Sequence, residues 1–359
     1  MDNLLFASSS FDGFSADATL PAKFNRLLDR LNLGETVGGK IVAVKMHVGR
    51  GIGYSTIHPL FVKDLVSKLY QQGALRVYIT DQDTSGGTVR GYTNEMLGCP
   101  VVDMCGAAGK YYYEKSVDFK TFKNVDVGGH LADADVLVDL SHVKGHGVCG
   151  YGGAVKNIAM GCVTDRTRKQ IHSLEGGIEW DADKCNHCGQ CIESCNHDAN
   201  RFNSSGEYSV NYHHCTMCQH CCKVCPAEAI TMNANHYKNF QTGMALCTQK
   251  CLEHFGGKTI YINFLVNITV ICDCWGLTTP NIVPDAGILA GRDIVAIEKA
   301  SLDMIRVEDL IMNGLPKNHM LGETGHLLER IHGKDPFVQL HELVQLGMGS
   351  VDYTLEAVE

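Results

Sequence analysis

Lys40-Ile-Val-Ala-Val-Lys45-Met-His47-Val48 runs into Gly49-Arg50-Gly51-Ile52-Gly53 and then into a segment whose apolar residues recur at helical spacing. The first run is rich in β-branched residues and predicts a strand. The segment after it predicts a helix from about His58 to Gln72. Pro59 suits its first turn, Gly73 its carboxyl cap, and Leu60, Phe61, Leu65 and Leu69 share a face. Ala74 to Thr80 predicts a second strand ending at Asp81. Strand, helix and strand in this order form a βαβ unit with parallel strands and a right-handed crossover. Further strands are expected over 134–140 and 258–271, with a short one near 351–355. Helices are expected near 154–161, over 237–255, after Asp293 as N-cap, and over 336–346. The fold class is therefore α/β, a mostly parallel sheet with flanking helices.

The pattern is interrupted between about 178 and 236, where the expected unit is an inserted α+β domain. Cys185-Asn-His-Cys188-Gly-Gln-Cys191-Ile-Glu-Ser-Cys195 and Cys215-Thr-Met-Cys218-Gln-His-Cys221-Cys222-Lys-Val-Cys225-Pro226 are two copies of C-x2-C-x2-C-x3-C. This is the bacterial ferredoxin spacing for two [4Fe–4S] clusters, in which the fourth cysteine of each run ligates the other cluster. The expected ligands are Cys185, Cys188, Cys191 and Cys225 for one cluster, and Cys215, Cys218, Cys221 and Cys195 for the other. Three segments follow: 1–177 and 237–359 as two parts of one α/β domain, and 178–236 as the ferredoxin-like insert.

Composition narrows the function classes. A net charge of −9 argues against a general nucleic-acid surface and suits a basic redox partner. Of 17 cysteines, eight fit the two patterns and nine do not, a thiol richness that indicates a reducing compartment. Met1 to Phe6 has no basic and apolar leader pattern, and the apolar stretch Thr259 to Ile271 is too short to span a bilayer. A cytoplasmic protein without membrane contact is expected.

In parallel α/β sheets, ligands bind beyond the carboxyl ends of the strands. Those ends carry Lys45, His47, Asp81, Asp83, His142, Lys144 and His146. Gly150-Tyr-Gly152-Gly153 lets backbone amides approach a ligand, and a helix amino terminus there favours an anion. Lys156 adds positive charge and Asn157 both donates and accepts. Neither this stretch nor Gly49-Arg-Gly51-Ile-Gly53 has a nucleotide-binding spacing. Cys272-Asp273-Cys274-Trp275 closes a strand with both thiols on one face, compatible with metal ligation, a redox pair or packing. Cys247 and Cys251, four apart on a helix, are expected to pack, as are Cys99, Cys105, Cys149 and Cys162; Cys222 is expected not to ligate. His187, His213, His214 and His220 lie around the two runs.

Val143-Lys144-Gly145-His146, followed by Gly152-Gly-Ala-Val-Lys156-Asn157-Ile-Ala-Met-Gly161, resembles the hallmark of domain-of-unknown-function family 362. Tyr261 to Leu265, Cys272 to Trp275, Pro284 to Leu289 and Leu346 to Ser350 are similar to its iron–sulfur subgroup, which carries a ferredoxin insertion. Asn196 departs from the proline that usually follows the first run. Gly291-Arg-Asp293-Ile-Val-Ala-Ile-Glu298 replaces Ser-x-Asp-Pro-Val-Ala-Ile-Asp, keeping a carboxylate at 298. The resemblance implies an α/β fold with an inserted ferredoxin module and no particular reaction.

Three functions fit. A redox enzyme would pass cluster electrons to an anionic small-molecule acceptor held by His142, Lys144, His146, Lys156 and Asn157, with histidine moving protons and lysine stabilising negative charge. A non-catalytic carrier or assembly protein would pass them to a redox partner protein. A metal- or sulfur-handling protein would use Cys272 and Cys274 for an additional metal. Substrate, reduction potentials and oligomeric state are not written in the sequence.

Overall fold

Alternation along the strand at 41–46 sorts its side chains into two cores. Val42, Val44 and Met46 enter one, and Ala43 enters the other. The computed structural model describes residues 2–233 and 235–359. Its central sheet comprises β1 (Asp2–Ser8), β2 (Ile41–Met46), β3 (Arg76–Asp81), β4 (Val101–Asp103), β5 (Val136–His142), β6 (Thr259–Leu265), β7 (Gly287–Gly291) and β8 (Tyr353–Ala357). The spatial order is β8-β1-β7-β6-β5-β2-β3-β4, and of these eight only β7 runs against its neighbours. The mostly parallel α/β expectation thus holds. From β2 the chain builds outward through β3 and β4, then returns to lay β5 on the other side. The sheet's switch point lies between β2 and β5, where a crevice opens beyond the strand ends.

The helix after β2 covers Pro59–Gln71, with the His58 ring accepting the Leu60 N–H and Gly73 left-handed just past its end. Its buried face is Val62, Leu65, Val66 and Leu69. Leu60, in the first turn, is 40% exposed, because the stripe is phased on Val62 and Val66 instead. Together with Leu20–Arg30 this helix covers one face of the sheet. The other face carries Ala154–Gly161, Asp165–His172, Lys238–Leu252, Ile294–Asp303 and Val338–Gln345. Asp293 caps its helix by accepting from the amides of Val295 and Ala296 at 2.7 and 3.0 Å. The strand expected over 258–271 stops at Leu265. Asn267 turns left-handed there, and its N–H donates to Asp285 Oδ1 at 2.7 Å.

Between Asp165–His172 and Lys238–Leu252 the chain leaves the sheet and folds on itself. Ile178–Trp180 pairs antiparallel with Ile230–Met232, and Asn200–Phe202 with Tyr208–Val210. Short helices Gln190–Glu193 and His220–Lys223 complete two matching halves. A small core of Cys191, Cys221 and Ile230, flanked by Trp180, Phe202 and Tyr208, joins them. This unit sits tightly on the α/β body: a side chain at Gly147 would overlap the His213 carbonyl, and one at Gly333 the Thr216 carbonyl.

Candidate functional site

Lys45 is a cation at the end of a buried strand, so it needs partners within the protein. Its Nζ lies 3.0 Å from Asp81 Oδ1 and donates to Asn157 Oδ1 at 2.5 Å. Asn157 in turn donates to Asp139 Oδ1 at 2.8 Å. Burial pushes the Asp81 carboxyl up, but Lys45 and His47 outweigh it and hold the group well below the ordinary range. Asp139 has no such cation in contact, and burial raises it to about 7. His47 Nδ1 meets Asp81 Oδ2 at 2.8 Å, whereas its Nε2 is buried without a hydrogen-bond partner. Lys45, His47, Arg50, Asp81, Asp83, Lys156, Asn157 and Arg168 line a cavity of about 80 Å³, with two lysines and two arginines against two carboxylates. A second cavity of about 280 Å³ adjoins it, sharing Lys156, Met160, Arg168 and Cys274 and adding His146, His172, His213 and Trp275.

Of the five residues expected to bind substrate, His146, Lys156 and Asn157 line this crevice. His142 and Lys144 lie behind it. The His142 ring faces an acceptor on each side, Asp273 Oδ2 at 3.0 Å and the Val266 carbonyl at 2.6 Å. Lys144 donates to Ser55 Oγ and the Asn267 carbonyl and stands 3.8 Å from Asp273 Oδ1. Burial lowers Lys144 to about 8, and burial together with Lys144 lowers His142. Asp273, between them, is raised by burial but pulled further down by His142 and Lys144. This group braces the strand end.

The helix beginning at Ala154 does not offer its amino terminus to an outside anion, contrary to the expectation from Gly150–Gly153. Glu298 occupies it. Its Oε1 accepts from the Ala154 N–H at 2.7 Å, Tyr151 OH at 3.0 Å and Asn263 Nδ2 at 3.0 Å; Oε2 accepts from the Val155 N–H at 3.4 Å. The glycine at 153 is required because a side chain there would overlap Glu298 and the Tyr151 hydroxyl. Burial raises Glu298 to about 7.

Cys272 and Cys274 are joined by a disulfide at the crevice. Lys156 Nζ lies 3.5 Å from Cys272 Sγ and 3.7 Å from Cys274 Sγ, and His146 Nε2 lies 4.0 Å from Cys274 Sγ. The ligand atoms of His146, Cys272 and Cys274 fall within 4.8 Å of one another, so with the disulfide open the group could hold a metal ion. Trp275 stacks on His214 at 5.4 Å and meets the edge of His213 at 5.2 Å, which connects the crevice to the unit of 178–232. Lys334, not anticipated from sequence, is buried and donates to the carbonyls of Tyr212 and Cys215.

In the cysteine-rich unit all eight cysteines of the two runs are free thiols. Cys195, Cys215, Cys218 and Cys221 line one small cavity with His197 and Thr216. Cys195 Sγ accepts the Ala199 N–H and Cys225 Sγ the Ala229 N–H, each at 3.3 Å. The backbone repeats as well. His187, Gly189 and Asp198 are left-handed in the first half, and Met217, Gln219 and Glu228 occupy the same offsets in the second. Elsewhere Cys99, Cys105, Cys149, Cys162, Cys247 and Cys251 are buried free thiols, as expected for packing.

Residues 42–303, more than half of the 359, match the family described as Domain of unknown function (DUF362). The chain belongs to DUF362. No curated protein matches it. A lactate racemase apoprotein from Thermoanaerobacterium thermosaccharolyticum is similar at 12% identity and a TM-score of 0.33, over 74% of this DUF362 chain and 51% of that one. A protein from Thermotoga maritima is similar at 12% identity and a TM-score of 0.38, over 70% and 52%. The chain spans about half the length of both structures. Among the described residues no helix is long and apolar enough to cross a membrane.

Proposed function

We propose that this DUF362 chain is an iron–sulfur oxidoreductase of the family's iron–sulfur subgroup, with 178–236 as an inserted two-cluster ferredoxin-like domain between 1–177 and 237–359. Cys185, Cys188, Cys191 and Cys225 hold one [4Fe–4S] cluster; Cys215, Cys218, Cys221 and Cys195 hold the other. The observation that carries this reading is the left-handed backbone repeated at equal offsets in the two cysteine runs. Five of those six positions are not glycine, and each costs on the order of 1–3 kcal/mol, which persists only where the surroundings over-determine it. Successive turns of this kind aim backbone amides inward at an anionic centre, as in many iron–sulfur sites. The donor set fits too. Cys195 joins the three cysteines of the second run around one cavity, as the crossed ligation requires. His197 Nε2 and Thr216 Oγ1 at that cavity, and Trp180 Nε1 and Tyr208 OH nearby, are buried without hydrogen-bond partners, where cluster sulfur would accept.

When bound, such clusters take up and release single electrons. The chain's own residues prepare the acceptor site. Lys156 and Arg50, with Arg168 beside its partner Asp165, supply positive charge for a small anion, and Asn157 fixes the Lys45 ammonium at the crevice floor. His146 and His47 are placed to exchange protons. A carrier without a substrate has no use for this charged crevice, which favours an enzyme over the non-catalytic alternative. The electron donor is a redox partner protein, and the acidic chain suits a basic one.

Anaerobic reconstitution tests the reading. About eight irons and eight sulfides per chain are expected, with a paramagnetic signal on reduction. Cys218→Ser should keep about half of the iron. Wild-type chain reconstituted with fewer than about four irons refutes the assignment.

A further inference from the structure

Lys156 raises a question of charge. Its ammonium faces the crevice, and its hydrogen-bond partners among the described residues are two sulfur atoms. No carboxylate pairs with it. A disulfide is a weak acceptor and carries no charge, so as long as the bond is closed the lysine lacks a counter-ion. Once the bond opens, a thiolate 3.5–3.7 Å away supplies one. Cys272 is buried and Cys274 faces the crevice, so a reductant or substrate reaches one sulfur only.

We propose that Cys272 and Cys274 form a redox couple, the first acceptor of the electrons that reach the crevice, with Lys156 stabilising the open form. In the step, the Cys272–Cys274 bond breaks and two electrons enter, leaving a lone pair and a negative charge on each sulfur. One proton, passed through His146 beside Cys274, neutralises that sulfur, and Cys272 stays a thiolate paired with the Lys156 ammonium. Reoxidation by a two-electron acceptor, a disulfide or another sulfur compound, reverses the step. The electrons are two one-electron equivalents from low-potential iron–sulfur carriers, and this clause rests on the function proposed above. The ring of Trp275, next to Cys274, contacts His213 and His214, which immediately precede Cys215. Aromatic contacts therefore bridge the couple and the second cysteine run.

The test equilibrates the full-length protein anaerobically in dithiothreitol redox buffers, alkylates it, and follows the peptide containing residues 272–274 by mass. The expected result is one two-electron conversion from the disulfide to the doubly alkylated form. Lys156→Gln should favour the disulfide about tenfold, a shift of about 30 mV towards more reducing potential, while Lys156→Arg restores most of it. A disulfide that never opens overturns the proposal. So do two thiols alkylated at every potential and accompanied by one equivalent of zinc or iron beyond the clusters, which would make this a metal site. A second arm supplies photoreduced deazaflavin, a one-electron donor, to wild type and to Cys218→Ser. Conversion in wild type and not in the variant supports the route from the insert. Conversion by dithiothreitol with none by deazaflavin leaves the couple standing and sinks the cluster reading instead.

Discussion

Replacing Glu298 by alanine should destabilise the protein by an amount that depends on pH. The carboxylate is the acceptor for three close donors, from Ala154, Tyr151 and Asn263, and a longer one from Val155. Asn263 keeps a second partner in Ser301 Oγ at 2.9 Å, so the uncompensated losses are the Tyr151 hydroxyl and the first helix amides. Each buried donor left alone costs roughly 1–3 kcal/mol, and helix capping contributes about 1. A loss of about 3–4 kcal/mol is expected at pH 5.5. In the wild type the folded group titrates near 7 against an ordinary 4.5, because of burial. A raised acid pKa means the folded state binds the extra proton, so wild-type stability falls as pH rises through that window and levels off above 7. Alanine has no such slope. The cost of the substitution should therefore shrink by about 2 kcal/mol between pH 5.5 and 7.5. Urea unfolding of both chains at the two pH values measures it, and Glu298→Gln should show the same flattening with a smaller loss. A loss below about 0.5 kcal/mol at pH 5.5, or one that grows with pH, would refute the capping argument.

Gly147→Ala should loosen the cysteine-rich unit without unfolding the sheet, because the new methyl overlaps the His213 carbonyl. Hydrogen exchange should accelerate over 178–232 and stay unchanged in β5 and β6. Gly161→Ala should lower Tm although alanine is the better helix former by about 1 kcal/mol, since its methyl would overlap the Lys45 ammonium and crowd Asp81. Lys45→Met should cost roughly 3–5 kcal/mol in unfolding free energy, because it leaves Asp81 buried with His47 alone. Asp273→Asn should flatten the acid side of the stability curve. Asp273 is held down by His142 and Lys144, so its contribution is present above an ordinary pKa and disappears as pH falls below it, and a pH series of urea midpoints reads this out.

The strand at 41–46 was legible because alternation and a parallel sheet leave few alternatives for Val42, Ala43, Val44 and Lys45. The cysteine spacing similarly predicted a self-contained segment between two α/β parts. Strand β1 and the helix Leu20–Arg30 escaped, since β1 gains its place only by pairing with β7 and β8, both distant in sequence. The same non-locality hid Glu298. A departure from the family pattern at that position was visible, but that it fills the amino terminus of a helix 144 residues earlier is a fact of packing. Arg168 and Lys334 carried no local signal either. His142 and Lys144 show the converse: strand-end position gave them a site-like appearance, yet Asp273, from the segment after β6, pairs with both.

Three lysines lie at or near the seam between sheet and insert, Lys144 and Lys334 buried and Lys156 half-buried. Lys144, Lys156 and Lys334 are each lowered to about 8 by burial, which means each is close to losing its charge unless something negative is nearby. Lys144 has Asp273. Lys156 has the Cys272 and Cys274 sulfurs, and Lys334 donates to the carbonyls of Tyr212 and Cys215. For these two the neighbouring sulfurs, once thiolate, would add negative charge to that of Asp81 and Glu175. Serine at Cys215 or Cys274 would keep the shape and remove that charge. Thiolates are formed and retained when a metal binds or a disulfide opens. The state of the sulfurs thus sets whether these ammonium groups stay charged, and through Lys156 it sets the charge that the crevice presents to an incoming anion.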